Sequence, residues 1–434
     1  MQEVIFKKNT NTCVICPIIN NNLKVVSEES RLSEAIGLSC AIGLDVLYSD
    51  VVKLKAIKPA TYFSKGFIEK IKPIIADANI ILLVVDANLY PIQQRNLEKE
   101  LNIKVIDRTA LILEIFGERA NTGEGKLQVE LAHLTYQRSR LVRSWTHLER
   151  QRGGAGFLGG PGEKQIELDR RIIDDKIVKI KKELQKVKNT RHLQRGNRKK
   201  VPYPIVALVG YTNAGKSTLF NKLTGADVLA KDMLFATLDP TLRKIKLPSS
   251  REVIISDTVG FISDLPHELI MAFRSTLEEV IEADIIVHVR DVSNQDTSLQ
   301  KKDVLSVLAG IGLSDIETNP NYIEVLNKTD LLNEEDLKIL DKKLGSGSKR
   351  IISISAITGK GCDELCGRID KILSDDYKEY VIEIDASDGK LQSWLYGNVI
   401  VLEKQTKDNK LIFKIKANQT GSQRLSKLFN IKIA

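Results

Sequence analysis

Two periods of apolar residues alternate along the first 120 residues. Short apolar runs at 14–19, 46–54, 80–85 and 104–106 read as strands, and the stretches 27–42, 66–75, 92–101 and 110–119 repeat apolar residues at helical spacing. The run ILLVVD at 81–86 is apolar on both faces, as a buried parallel strand must be. Strands alternating with helices in this way predict an open parallel sheet. The segment contains no phosphate loop and no cluster suited to catalysis, so it reads as a binding or positioning domain.

The pattern then changes. After a turn-forming stretch at 121–125, Leu127, Leu131, Leu134, Leu141, Trp145 and Leu148 form one heptad-like seam, and Ile166, Ile173, Ile177, Ile180, Leu184 and Val187 form a second of equal length. Between them lies GGAGFLGGPG at 153–162, too rich in glycine for a helix. Two matched seams joined by a breaker predict an antiparallel helical hairpin, followed by a basic connector, RGNRKK, at 195–200. A buried strand at 205–209 opens the next unit, and the last unit shows strand-like alternation at 381–384 and 411–415 with helical stretches at 390–396 and 422–429. The expected fold is α/β throughout: an N-terminal open parallel α/β domain (1–120), a basic helical hairpin (121–200), a further α/β domain (201–375) and a small α+β C-terminal domain (376–434).

Composition adds two things to this picture. Apolar residues at 42% and charged residues at 28% describe a soluble chain, and no apolar run approaches the ~20 residues that cross a bilayer. With no apolar leader at the N-terminus, a cytoplasmic monomer without a transmembrane segment is expected. The net charge of +9 is concentrated: residues 138–200 hold 19 Lys/Arg against 7 Asp/Glu, an excess of 12, which leaves the remainder near −3. Such a segment is either a polyanion-binding surface or a solvated helix face. Arg150 and Arg152 before the glycine tip and Lys164 after it favour a basic finger that holds phosphates over a plain linker. The tip lacks the Lys-Ser/Thr pair that would make it a phosphate cradle. The five cysteines show no disulfide framework; Cys13 and Cys16 read as packing residues or as half of a metal site without a second half.

The chemistry is densest after residue 205. Gly210, Tyr211, Thr212, Asn213, Ala214, Gly215, Lys216 and Ser217 spell GxxxxGK[ST] between a strand and a helix that begins with Thr218. Glycines let backbone N–H groups wrap the β-phosphate, and the helix N-terminus adds its positive dipole end. Lys216 is placed to reach the β- and γ-oxygens, and the Ser217 hydroxyl to ligate Mg²⁺. A first switch follows at Phe235, Ala236, Thr237, Leu238 and Asp239, with Thr237 the first choice to complete the Mg²⁺ shell and sense the γ-phosphate and Thr241 the alternative. Asp257, Thr258, Val259 and Gly260 supply a carboxylate for Mg²⁺ through water and a backbone amide for the γ-phosphate. Lys216, Thr237 and Gly260 are the expected catalytic set. Asn327, Lys328, Thr329 and Asp330 read the base, because the Asp330 carboxylate accepts from both guanine N1–H and N2–H₂, a pair adenine lacks. Ser355, Ala356 and Ile357 would close over it, and the ordered motifs make 201–375 the expected P-loop GTPase domain.

Phe261 stands after Gly260, where Ras-like GTPases place the glutamine that orients the attacking water. A phenyl ring offers neither donor nor acceptor. Slow intrinsic hydrolysis follows, with Phe261 swung out and another group or a partner completing the site. Asn213 either braces its own loop or offers its carbonyl oxygen to K⁺, as an asparagine does here in some GTPases.

With these residues in place, the chain resembles the HflX family of ribosome-associated GTPases over nearly its whole length. KPATYFSKG at 58–66 resembles the family's early P-x-T-x-x-G-x-G stretch, with Ser64 where a glycine is usual. QRNLE at 94–98, VIDRT at 105–109, QVEL at 128–131, the glycine tip with DRR at 169–171, FATLD at 235–239 and DTVGF at 257–261 are similar to family signatures, the phenylalanine included. The resemblance implies a GTPase that binds the large ribosomal subunit (rRNA) through its N-terminal half, glycine tip foremost, acts in splitting stalled or idle ribosomes under stress, and binds ATP as well as GTP. The residues themselves show a polyanion-binding arm joined to a nucleotide switch. A GTP-gated RNA-binding adaptor that never meets a ribosome, or a regulator whose arm holds an acidic partner, would carry the same arm.

Overall fold

The computed structural model describes residues 9–19, 27–151, 161–198, 203–226, 235, 241–263, 274–345, 350–375, 378–386, 388–407, 410–417 and 425. The α/β class read from the sequence is the class observed. In the N-terminal region β1 (Asn11–Ile19), β2 (Asp45–Leu54), β3 (Leu82–Val85) and β4 (Lys104–Asp107) form an all-parallel sheet in the order β2-β1-β3-β4. Helices α1 (Glu28–Ala41), α2 (Lys65–Asp77), α3 (Pro91–Leu101) and α4 (Arg108–Arg119) cover it. Local chemistry sets their starts. The Ser27 hydroxyl accepts from the Ser30 amide and the Asp107 carboxylate from the Ala110 amide, each satisfying an orphan donor of a first turn. Ser64, the departure from the family stretch, caps α2 through the Phe67 amide, a place where serine serves at least as well as glycine.

Cys13 and Cys16 lie fully buried in β1. Burial, helped by Asp50 beside one and Asp86 beside the other, pushes both thiols up to about 12. They are neutral packing groups, and the described residues hold no His/Cys/Asp/Glu group that could chelate a metal.

The expected turn at 121–125 is shorter than the glycines suggest. Helix α5 (Gly123–Gln151) begins inside it, because the Thr122 hydroxyl accepts from the Gly125 amide at 2.9 Å and starts the helix. Helix α6 (Pro161–Arg198) takes Pro161 as its first residue, where a missing N–H does no harm, and runs into the stretch read as a connector. Leu134, Ile177 and Ile180 bury one another, with Leu127, Leu131, Ile173 and Leu184 packed around them, so the two seams do meet along the proximal half of the hairpin. Lys176, Lys179, Lys181, Lys182 and Lys186 of α6 are exposed. The glycine tip at 153–160 and Arg152 lie outside the described residues. No described helix is long and apolar enough to cross a membrane.

The third unit is a six-stranded sheet in the order β10-β9-β8-β5-β7-β6, parallel except for the antiparallel edge strand β6. Its strands are β5 (Ile205–Gly210), β6 (Thr241–Lys246), β7 (Glu252–Asp257), β8 (Ile285–Asp291), β9 (Tyr322–Asn327) and β10 (Ile351–Ser353). β11 (Lys378–Asp385), β12 (Ile400–Lys407) and β13 (Lys410–Ala417) close the chain as an antiparallel sheet with β13 central, packed by the helix Gly389–Asn398. β12 escapes the sequence reading because most of its residues are exposed and polar, so its alternation is weak. Of the stretch 422–429 only Leu425 is described; it is helical and buried.

One hydrophobic cluster crosses from the first sheet into the third unit. Leu38, Ile112 and Phe116 on one side join Val209, Phe235 and Phe261 on the other. Phe116 and Phe235 meet edge to face with centroids 4.7 Å apart, a pair worth about 0.5–1.5 kcal/mol beyond the area it buries.

Candidate functional site

β5 is the central strand of the six, flanked by β8 and β7, and Val206, Ala207, Leu208 and Val209 have no exposed surface. It delivers the chain to the carboxyl edge of the sheet, the edge where open α/β sheets bind ligands. Two glycines shape the loop beyond it by close approach. A Cβ on Gly210 would strike the Val289 carbonyl oxygen, and one on Gly215 would strike the Asn327 side-chain amide. Gly215 also has φ +89°, a left-handed conformation costly for other residues, and caps helix α7 (Lys216–Thr224).

Within the loop, Lys216 is buried and donates to the carbonyls of Gly210 (3.1 Å) and Tyr211 (2.8 Å). Burial pulls its ammonium down to about 8, with the Asp257 carboxylate pulling the other way. The Ser217 hydroxyl donates to Asp257 Oδ2 at 2.7 Å. A hydroxyl and a carboxylate facing each other are hard oxygen donors, the set Mg²⁺ prefers. Asn213 is exposed with φ +57°, and its side chain makes no hydrogen bond among the described residues. Thr212 and Ala214 are buried, and Thr218, read from the sequence as the helix start, is the third residue of α7, which begins at Lys216.

The segment after β7 is sewn to the phosphate loop. The Phe261 amide donates to the Gly210 carbonyl at 3.1 Å, and the Phe261 carbonyl accepts from the Thr212 amide at 2.7 Å. Gly260 lies so close that a Cβ there would come within 2.8 Å of Thr212 Cγ2 and 3.1 Å of Lys216 Nζ. Thr258 donates to the Leu208 carbonyl at 2.6 Å, and Val259 is buried in the core. The Phe261 ring is 2% exposed and lies in the cluster shared with the first sheet, so it is turned into the protein rather than out to solvent. Phe235 packs on Phe116 with φ +56°, its ring committed to the domain contact. Ala236, Thr237, Leu238 and Asp239 lie outside the described residues, and Thr241 opens β6.

At the far end of the sheet, Asn327 is a brace. Its Nδ2 donates to the Ala214 carbonyl (2.9 Å) and its Oδ1 accepts from the Ala356 amide (3.0 Å), tying the phosphate loop to the loop after β10. Thr329 donates to the Ile354 carbonyl at 2.9 Å, and Lys328 pairs with Asp291 at 2.7 Å. Asp330 and Ile357 are exposed, while Ser355 and Ala356 are buried.

Residues far away in the chain also reach this edge. The Tyr211 hydroxyl donates to Glu34 of α1 and accepts from the Ser263 amide at 2.8 Å. Arg108 of α4, paired with Glu34 and Asp86, donates to the Ser263 carbonyl at 3.0 Å. Burial opposes charge on Arg108, yet the two carboxylates outweigh it and raise its affinity for the proton. Asp86 is held below the usual carboxylate range by Arg108 and Arg31 despite its burial. None of Glu34, Arg108, Ser263 or Asp291 stands out in the sequence as part of the site. The VIDRT signature at 105–109 contains Arg108, but nothing local to it says what it touches.

Four family models match consecutive stretches: "GTP-binding GTPase N-terminal" over 29–117, "GTP-binding GTPase Middle Region" over 119–198, "50S ribosome-binding GTPase" over 205–328 and "HflX C-terminal domain" over 332–430. Relatives include the GTPase HflX of Magnetococcus marinus, 49% identical over 86% of this chain and 84% of its own. The GTPase HflX of Lacrimispora saccharolytica is 44% identical over 93% of this chain and 94% of its own. Among solved structures, a crystal structure of the SsGBP and GDP complex is similar at 26% identity and TM-score 0.48, over 84% of this chain and 99% of that one.

Proposed function

The chain belongs to the HflX family of GTPases, and from that premise we propose that it is a GTP-driven switch that docks on the large ribosomal subunit through its basic hairpin, in the cytoplasm. The observation that carries this reading is the row of exposed lysines on α6, backed by a sealed apolar seam and joined directly to a GTPase domain. Exposed cations on a stiff rod suit a phosphate backbone. The description of the matched GTPase region as 50S ribosome-binding supports ribosomal RNA as that polyanion. Splitting or rescue of idle ribosomes under stress is the role this reading gives the switch.

Hydrolysis of GTP is the chain's activity. In the proposed mechanism Lys216 commits two of its three protons to the Gly210 and Tyr211 carbonyls, so the third is left for a β- or γ-phosphate oxygen. Ser217, with Thr237, would hold Mg²⁺, and Asp257 would hold it through water. When bound, the ion neutralises charge building on the phosphate oxygens. The Gly260 amide would meet the γ-phosphate, and Asp330 the guanine edge. With Phe261 turned into the core, the described residues of this segment bring no side chain to orient the attacking water. We infer slow turnover in the free protein, completed when the ribosome docks. Asn213, with no hydrogen bond to its own loop among the described residues, fits a K⁺ ligand better than a brace. ATP as a second substrate rests on the family resemblance alone.

The test is steady-state GTP hydrolysis with and without purified large subunits, with Lys216→Ala as the blank. Stimulation is expected, since a partner that completes a GTPase site can raise kcat by a factor of about 10³–10⁵. Either no stimulation by large subunits in K⁺ buffer, or equal stimulation by free structured RNA, overturns the ribosome in favour of a GTP-gated RNA adaptor.

A further inference from the structure

The loop after β9, which carries Asn327, Lys328 and Asp330, is gripped from the neighbouring strand β8. The two strands run parallel and end together, with Asp291 opposite Asn327. The oxygens of the Asp291 carboxylate have separate tasks. Oδ1 accepts from the Ser293 amide at 2.9 Å and the Ser293 hydroxyl at 2.6 Å, which fixes the carboxylate in a turn of its own chain. Oδ2 meets the Lys328 ammonium at 2.7 Å. The Val292 amide donates to the Asn327 carbonyl at 3.1 Å, so the strand ends are joined through the backbone as well.

A lysine makes a poor fixed wall unaided. Its four-carbon stem has much rotamer freedom, and the Lys328 backbone stands in the left-handed region at φ +67°, which few residues besides glycine, asparagine and aspartate adopt. Such a conformation persists where its surroundings over-determine it. Thr329, next in the chain, donates from its amide at 3.2 Å and its hydroxyl at 2.9 Å to the Ile354 carbonyl, while Asp291 takes the far end of the lysine. Side-chain exposure of 19% for Lys328 and 13% for Asp291 leaves the pair less screened than one on the open surface. The stem is thus pinned at both ends.

We propose that Asp291 is a positioning residue for guanine nucleotides, holding the Lys328 side chain extended beside Asp330 so that its stem offers a ready apolar wall to the face of the base. Ordering the lysine in advance removes a cost that binding would otherwise carry. Because it acts on a face rather than an edge, this contribution is the same whatever exocyclic groups the purine carries. The proposal rests on the reading of residues 327–330 as the base site, and is independent of which polyanion the hairpin holds.

The experiment titrates the full chain in Mg²⁺ with GDP and with IDP, whose base lacks the 2-amino group, by calorimetry. The native protein should prefer GDP, because IDP offers Asp330 one donor fewer; equal affinities would remove the base site and the proposal with it. Asp291→Asn keeps the shape and an oxygen for Ser293 but loses the charge, and a thermal melt checks that it is folded. It should weaken GDP and IDP alike by about tenfold, the scale of one charge-assisted hydrogen bond, and leave their ratio unchanged. In a Lys328→Met background, which keeps an apolar stem, the same change should cost less than about twofold further. Unchanged GDP affinity in folded Asp291→Asn, with the native preference for GDP intact, overturns the proposal alone. So does a GDP-to-IDP ratio that falls towards one, which would mean that the whole loop had shifted, or an undiminished loss in the Lys328→Met background.

Discussion

Two parallel α/β sheets sit side by side in this molecule, and their carboxyl edges have been built for opposite purposes. The edge of the GTPase sheet is lined by backbone: Gly210, Gly215 and Gly260 clear space, leaving amides and one buried lysine facing the cradle. The edge of the N-terminal sheet is lined by charged side chains: Asp86, Arg108 and Glu34 pair with one another and reach the neighbouring domain, and Asp107 pairs with Arg140 of the hairpin. Glycines and free amides make a receptor for a small anion. Paired charges that close on protein groups make a joint. Shared topology therefore sets where an edge lies, and the side chains there decide whether it takes substrate or another domain.

The largest expected effect breaks the joint. Arg108→Met leaves the Asp86 carboxylate buried without its main partner, and removing one member of a buried pair costs about 3–5 kcal/mol. The first sheet should melt earlier by differential scanning calorimetry while GDP affinity changes less. An unchanged melt would show that the charges are screened by water rather than sealed. A smaller effect weakens the receptor edge from within: Asn327→Ala strands the Ala214 carbonyl and the Ala356 amide. A loss of about 1–3 kcal/mol is expected in the GTPase domain alone, read by the same calorimetry with GDP present and absent.

The mildest probe changes no residue. Lys216 is held down to about 8, and a phosphate anion restores its ordinary, higher value. Below about pH 8 the free protein already carries the proton, so GTP affinity should be flat there. Above it the free lysine is discharged and must take up a proton on binding, so affinity should fall as pH rises. Titration calorimetry in buffers of different ionisation enthalpy should show proton uptake near pH 9; a null result would mean that Lys216 stays fully charged.

Much of the receptor edge was legible because its chemistry is local in sequence. A strand, a glycine loop and a helix start occupy consecutive residues from Ile205 to Thr224, and the two heptad seams likewise announce α5 and α6. The joint was not legible in this way. Glu34 and Tyr211 are 177 residues apart, Arg108 and Ser263 155 apart, and no periodicity or motif spacing connects them. Phe235 reads as a site residue from its motif and Phe261 as a ring swung out of the site, yet both rings are committed to the core shared by the domains.

By itself the sequence determined the α/β class, the strand, glycine loop and helix start of a GTPase domain, and two matched helical seams, since each depends on short-range period, spacing or composition. Only the tertiary structure decided which partner occupies the N-terminal sheet's edge, where the Phe261 ring goes and what Asn327 braces. Those answers depend on long-range contacts, formed when distant segments bury charge and apolar surface together, and such contacts leave no mark on neighbouring residues in the chain.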